Sequence, residues 1–149
     1  MKKKLYIING PNLNMLGERE IEIYGKKTLN QIKEDCEVFS KKINYEIEFF
    51  QSNSESEIIE CLQGMENKYV GLIINAAALT HTSIAIHDSL KIVGCKKIEI
   101  HISNPYSREN FRNKSFISPV VDGIITGLGH SVYITAIFAI KQILEQANE

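Results

Sequence analysis

No stretch of this sequence comes near the ~18 consecutive apolar residues that a membrane span needs. Charge of one sign is equally scarce: 17 Lys and Arg against 18 Asp and Glu leave a formal charge of −1, with no basic footprint for nucleic acid. The three cysteines, Cys36, Cys61 and Cys95, are odd in number and irregularly spaced. They make neither a disulfide framework nor a zinc site and read as packing residues. His81 and His87 stand six apart beside Asp88, whereas ligands sharing a helix face recur every three or four residues, so no metal is expected. The opening "MKKKLYII" has a basic start, but its apolar run stops at Asn9, Gly10 and Pro11, short of the ~7–15 residues of a signal core. The expectation is a cytoplasmic protein with no membrane and no nucleic-acid partner.

What is present is a regular alternation. "KLYIING" (4–10), "YEIEFF" (45–50), "VGLIINA" (70–76), "KIEIHI" (97–102) and "DGIITG" (122–127) are short β-branched runs, several continuous enough to be buried on both faces. Between them lie helical patterns at 28–43, 54–65, 83–93 and 130–149, the first with Leu29, Ile32, Cys36 and Phe39 on one stripe behind Thr28 as cap. A chain of 149 residues with 44% apolar content suits one domain, 1–149. Five strand–helix units predict an α/β fold of the flavodoxin-like, doubly wound type: a parallel sheet of order 2-1-3-4-5 with helices on both faces. Ligands in such sheets sit at the carboxyl ends of the strands.

Those ends are polar in every case: Asn9 to Asn12, Gln51 to Asn53, Asn75, His101 to Asn104, and the pair Gly127 and Gly129. Amides, hydroxyls, a histidine and loop arginines suit a small polyhydroxylated carboxylate better than a phosphate or a flavin. A phosphate-receiving signalling domain would need acidic residues after strand one and an aspartate ending strand three, where Asn9 and Asn75 stand. A dinucleotide fold would need GxGxxG after strand one, and "NGPNLNMLG" lacks it. The long polar loop after Asn9, carrying Arg19 and Tyr24 among glutamates, is too specific for a linker.

The blocks "NGPNLNMLGEREIEIYGKKTL", "QSNSE", "INAAALTHTSIAIHDSL", "EIHISN" and "RENFRNKS" resemble, in order and spacing over nearly the whole chain, the type II 3-dehydroquinate dehydratases. The resemblance implies loss of water from 3-dehydroquinate to give 3-dehydroshikimate through an enolate in the shikimate pathway, with no cofactor or metal. It also implies a homo-oligomer, a dodecamer built from trimers. Proton removal beside a ketone followed by loss of hydroxide needs a base, an oxyanion stabiliser and an acid. The resemblance makes Tyr24 the base, Asn12 the enolate stabiliser through a bound water, and His101 the acid, with Glu99 holding its imidazole. A phenol of pKa about 10 must be favoured as phenolate by roughly 3–4 kcal/mol to act near neutrality. A cation at ~4 Å supplies ~4 kcal/mol only where water is largely excluded. Arg19 is that candidate, on a lid of about residues 17–26.

By the same resemblance Asn75 and the main-chain N–H groups of Ile102 and Ser103 receive the carboxylate. His81 and Arg112 hold ring hydroxyls, Arg108 completes the polar wall, and Asp88 reaches in from a neighbouring subunit. Lys4, Lys96 and Lys97 begin strands and sit at the wrong edge for an imine mechanism. The chain departs from the family pattern at Ile21 and Ala76, where proline is usual, at Ser56 for glycine and at Asn113 for histidine; Pro105 and Tyr106 are also less usual. Ile21 leaves free a φ angle that proline would fix, so Ile21→Pro is expected to tighten ligand binding. The competing reading is a noncatalytic sugar-acid binding module of the same fold.

Overall fold

Along β1 (Lys3–Asn9), Leu5 and Ile7 point to one side and Tyr6 and Ile8 to the other, and all four are buried. A strand buried on both faces must be covered by helices on both. The computed structural model, which describes residues 1–149, meets that demand with five parallel strands in the order β2-β1-β3-β4-β5. The other strands are β2 (Tyr45–Gln51), β3 (Gly71–Asn75), β4 (Lys96–His101) and β5 (Gly123–Thr126). Helices α2 (Leu29–Lys42) and α5 (Ser131–Gln146) cover the Leu5 and Ile7 face. The opposite face, with Leu72 and Ile74, is covered by α3 (Glu55–Gln63) and α4 (Ile84–Ile92).

The helix starts are capped, at Thr28 as read from sequence. Thr28, Ser54 and Ser83 accept hydrogen bonds from the backbone N–H groups of Gln31, Glu57 and Ile86, and Gln31 closes a full capping box on Thr28. One α-helical element escaped the periodicity: a single turn α1 (Ile21–Tyr24) inside the polar loop, too short for a repeat to register. Helix α5 is apolar almost all round from Val132 to Ile140, and that surface has two outlets: Val132, Tyr133, Ala136, Ile137 and Ile140 are buried among the sheet and α2 while Phe138 stays half exposed.

Gly10 sets the shape of the rim. A Cβ there would lie 2.5 Å from the carbonyl oxygen of Ala76, so only glycine lets the loop after β1 cross the end of β3 this closely. Its N–H donates to the Asn75 carbonyl at 2.8 Å, locking the crossing.

Candidate active site

Where β1, β3 and β4 end, a cavity of about 100 Å³ opens under the loop carrying α1. Ten of the residues singled out from sequence line it: Asn12, Arg19, Tyr24, Asn75, His81, His101, Ile102, Ser103, Arg108 and Arg112. Two do not. Glu99 lies behind His101, and Asp88 sits on the exposed face of α4, away from the cavity of its own chain.

The rim is narrower than five strand ends. Gln51 and Asn53 hold the first loop instead: Asn53 Oδ1 accepts from Asn12 N at 2.9 Å and from Gln51 Nε2 at 3.1 Å. Asn12 takes a left-handed backbone (φ 70°), which asparagine tolerates better than most residues. Gly127 and Gly129 after β5 border a separate open groove shared with Glu22 and Ile23.

Asn75 is oriented from below. Its Nδ2 donates to the Tyr133 hydroxyl at 3.2 Å, and that hydroxyl donates to Asn9 Oδ1 at 2.6 Å. Burial raises the Tyr133 pKa, so the phenol stays neutral and keeps its donor. The sequence places Asn9 only among the polar strand ends and gives Tyr133 no role; the usable signal is a tyrosine in an apolar helix, whose hydroxyl must find a partner. The N–H groups of Ile102 and Ser103 donate to no acceptor within the chain and border the cavity, as a carboxylate receptor requires.

His101 Nε2–H donates to Glu99 Oε2 at 2.6 Å, which leaves Nδ1 outside that bond. Glu99 is 1% exposed. Burial alone would raise its pKa, but hydrogen bonds from His101, Ser118 and Ser115 together outweigh it and hold the carboxyl below its ordinary value. The ionised carboxylate fixes the imidazole and gives its protonated form an ion-pair partner. Ser115 and Ser118 were not anticipated, because their separation from Glu99 in sequence carries no spacing signal. His81 Nδ1–H donates to the Lys114 carbonyl at 2.7 Å. Burial lowers the His81 pKa, keeping Nε2 as an acceptor for a hydroxyl.

Tyr24 meets two cations: the guanidinium carbons of Arg19 and Arg108 lie 4.7 and 5.1 Å from its ring centroid. Arg108 donates to the Ser103 hydroxyl at 3.2 Å, and Arg112 pairs with Glu109 at 2.5 Å. Arg19 pairs with Glu20 at 3.0 Å while lining the cavity, so pairing with a lid neighbour and facing inward are compatible. Glu20, just before α1, is left-handed (φ 41°). A proline at 21 would disfavour that conformation in the preceding residue, so the expected gain from Ile21→Pro is overturned by this backbone. Ala76 differs: its φ of −74° already suits proline and it follows an extended strand. Ala76→Pro is expected to stabilise the fold by about 0.4–1 kcal/mol, read as a higher urea midpoint at unchanged activity.

A family model described as "Dehydroquinase class II" matches residues 3–141. A "3-dehydroquinate dehydratase" of Rhizobium etli is 45% identical over 143 residues, covering 96% of this chain and 99% of the relative. One from Campylobacter jejuni is 48% identical over 96% of this chain and 90% of its own length. Among solved structures, a type II dehydroquinase from Butyrivibrio crossotus superposes with a TM-score of 0.92 at 44% identity, covering 94% of this chain and 98% of that one. Sequence likeness over nearly the whole of both partners, on a shared fold, settles descent: the chain belongs to the class II dehydroquinase family.

Proposed function

We propose that this enzyme removes water from 3-dehydroquinate to give 3-dehydroshikimate, with Tyr24 as base and His101 as acid. The observation that carries the reading is the presence of both groups on one small cavity, Tyr24 beside two guanidiniums and His101 backed by a buried carboxylate. Tyr24 as phenolate takes the proton next to the ketone, and Arg19 and Arg108 supply the positive charge a phenolate needs nearby. Asn12 holds the water that stabilises the enolate. His101, kept in place by Glu99, protonates the departing hydroxyl. Asn75 and the free N–H groups of Ile102 and Ser103 seat the carboxylate, while His81 and Arg112 take ring hydroxyls. The loop of about residues 17–26 acts as the lid of a single catalytic domain.

The assembly proposed is a dodecamer of trimers in which Asp88 completes a neighbour's pocket. Ile84 and Ile92, 60% and 67% exposed, flank Asp88 at four-residue steps and make one apolar stripe on α4 around the carboxylate. The place of action is the cytoplasm, in the shikimate pathway; no helix is long and apolar enough to cross a membrane. The noncatalytic reading finds no support among relatives that carry an enzyme's name.

The chemistry runs without imine or metal. Lys4, Lys96 and Lys97 begin their strands, at the end of the sheet opposite the cavity, and no lysine lines it. Purified protein is expected to convert 3-dehydroquinate to the conjugated enone, followed by ultraviolet absorbance, equally well with chelator and with borohydride added alongside substrate. Inactivation by borohydride with a mass gain on the protein would establish an imine and defeat the enolate scheme.

A further inference from the structure

A second, smaller cavity of about 40 Å³ lies directly behind His101, and the imidazole borders both spaces. Its inner wall is Glu99 with Thr80, Ser115, Ser118 and Thr126, and its outer wall reaches the exposed Tyr106 and Asn113. Thr80 is 1% exposed, and its Oγ1 has no hydrogen-bond partner within the protein. Buried hydroxyls take a partner, and where protein supplies none the partner is water. A polar space of this volume has room for two or three waters, each needing ~10–15 Å³.

The reaction creates a demand at this spot. In each turnover one proton passes from substrate carbon to Tyr24 and one from His101 to the departing hydroxyl. The cycle leaves Tyr24 with one proton too many and His101 with one too few. Tyr24 sits on the lid and can shed its proton to solvent when the lid opens. His101 is 12% exposed at its side chain, at the floor of the cavity.

We propose that the rear cavity is a water-filled route that returns a proton from solvent to His101, with Thr80 Oγ1 as the anchor of its innermost water. That water hands a proton to Nδ1, the imidazole nitrogen that the Glu99 bond leaves free, and is itself re-protonated by the next water outward, the last drawing on solvent near Asn113. Over the cycle the proton released by Tyr24 balances the one taken up by His101. The Ser115 and Ser118 hydroxyls both donate to Glu99, so they keep the wall polar without closing the path. Thr80 is thus a positioning residue, acting through water on the acid.

The proposal rests on the dehydratase reading, so wild-type turnover of 3-dehydroquinate is measured first; no turnover would fail that reading before the route is at issue. Thr80→Val, which keeps shape and removes the hydroxyl, is expected to lower kcat several-fold with KM little changed, and to make kcat rise with imidazole buffer concentration toward the wild-type value. Thr80→Ser should behave as wild type. Asn113→Leu, at the exposed mouth, should show the same buffer dependence and guards against a folding defect in Thr80→Val. Wild-type kcat in both blocking variants, or a lowered kcat that ignores buffer concentration, would overturn the route.

Discussion

Tyr24→Phe is expected to lower kcat by ~10²–10⁴, the usual contribution of a positioned base, while the fold and the substrate-binding groups survive. The substitution removes one oxygen. The ring that remains still packs under the Arg19 and Arg108 guanidiniums, so the lid keeps its seat and KM should change little. His101→Ala is expected to cost a similar factor in kcat but also some stability, because Glu99 is buried and loses its charge-assisted partner. Steady-state rates with a urea unfolding curve for each variant separate the two effects. Near-normal turnover in Tyr24→Phe would move the base to another residue.

The second large effect concerns Asp88. On the proposed assembly Asp88→Ala subunits and Tyr24→Phe subunits are each inactive, the first for want of a neighbour's carboxylate and the second for want of their own base. Equal mixing after dissociation and reassembly should restore about a quarter of the sites, since each needs an intact Tyr24 and an intact neighbouring Asp88 in a symmetric ring. The recovered activity is measured in hybrids verified by mass. No recovery would mean that each pocket is complete within its own subunit.

The fold was largely legible because its signals are local: β-branched runs of strand length, Thr28 as a helix cap, and a strand–helix alternation that admits few topologies. The candidate site residues came from the resemblance, and ten of them line one cavity at the strand ends. The supports were not legible. Tyr133 under Asn75, Ser115 and Ser118 under Glu99, and Asn53 under Asn12 act across separations of 58, 16, 19 and 41 residues, where no periodicity reaches. The polarity of the β2 and β5 ends misled for a related reason, since an amide that props a loop looks, in sequence, like one that meets a ligand. Glu20 before Ile21 shows the same limit in the backbone: the left-handed turn that opposes a proline is invisible until φ is known.

The short segment 113–118 is held from three sides. His81 grips the Lys114 carbonyl, His87 the Phe116 carbonyl at 2.5 Å, and Ser115 reaches Glu99 at 3.0 Å. His87 belongs to α4, the helix whose outer stripe carries Asp88. The α4 stripe is therefore tied, through the Phe116 carbonyl and the Ser115 hydroxyl, to the Glu99 carboxylate. An insertion or deletion in 113–118 would strike the proposed subunit contact and the proposed proton donor at once, so this stretch should accept point changes at an outward position such as Lys114, but no change of length.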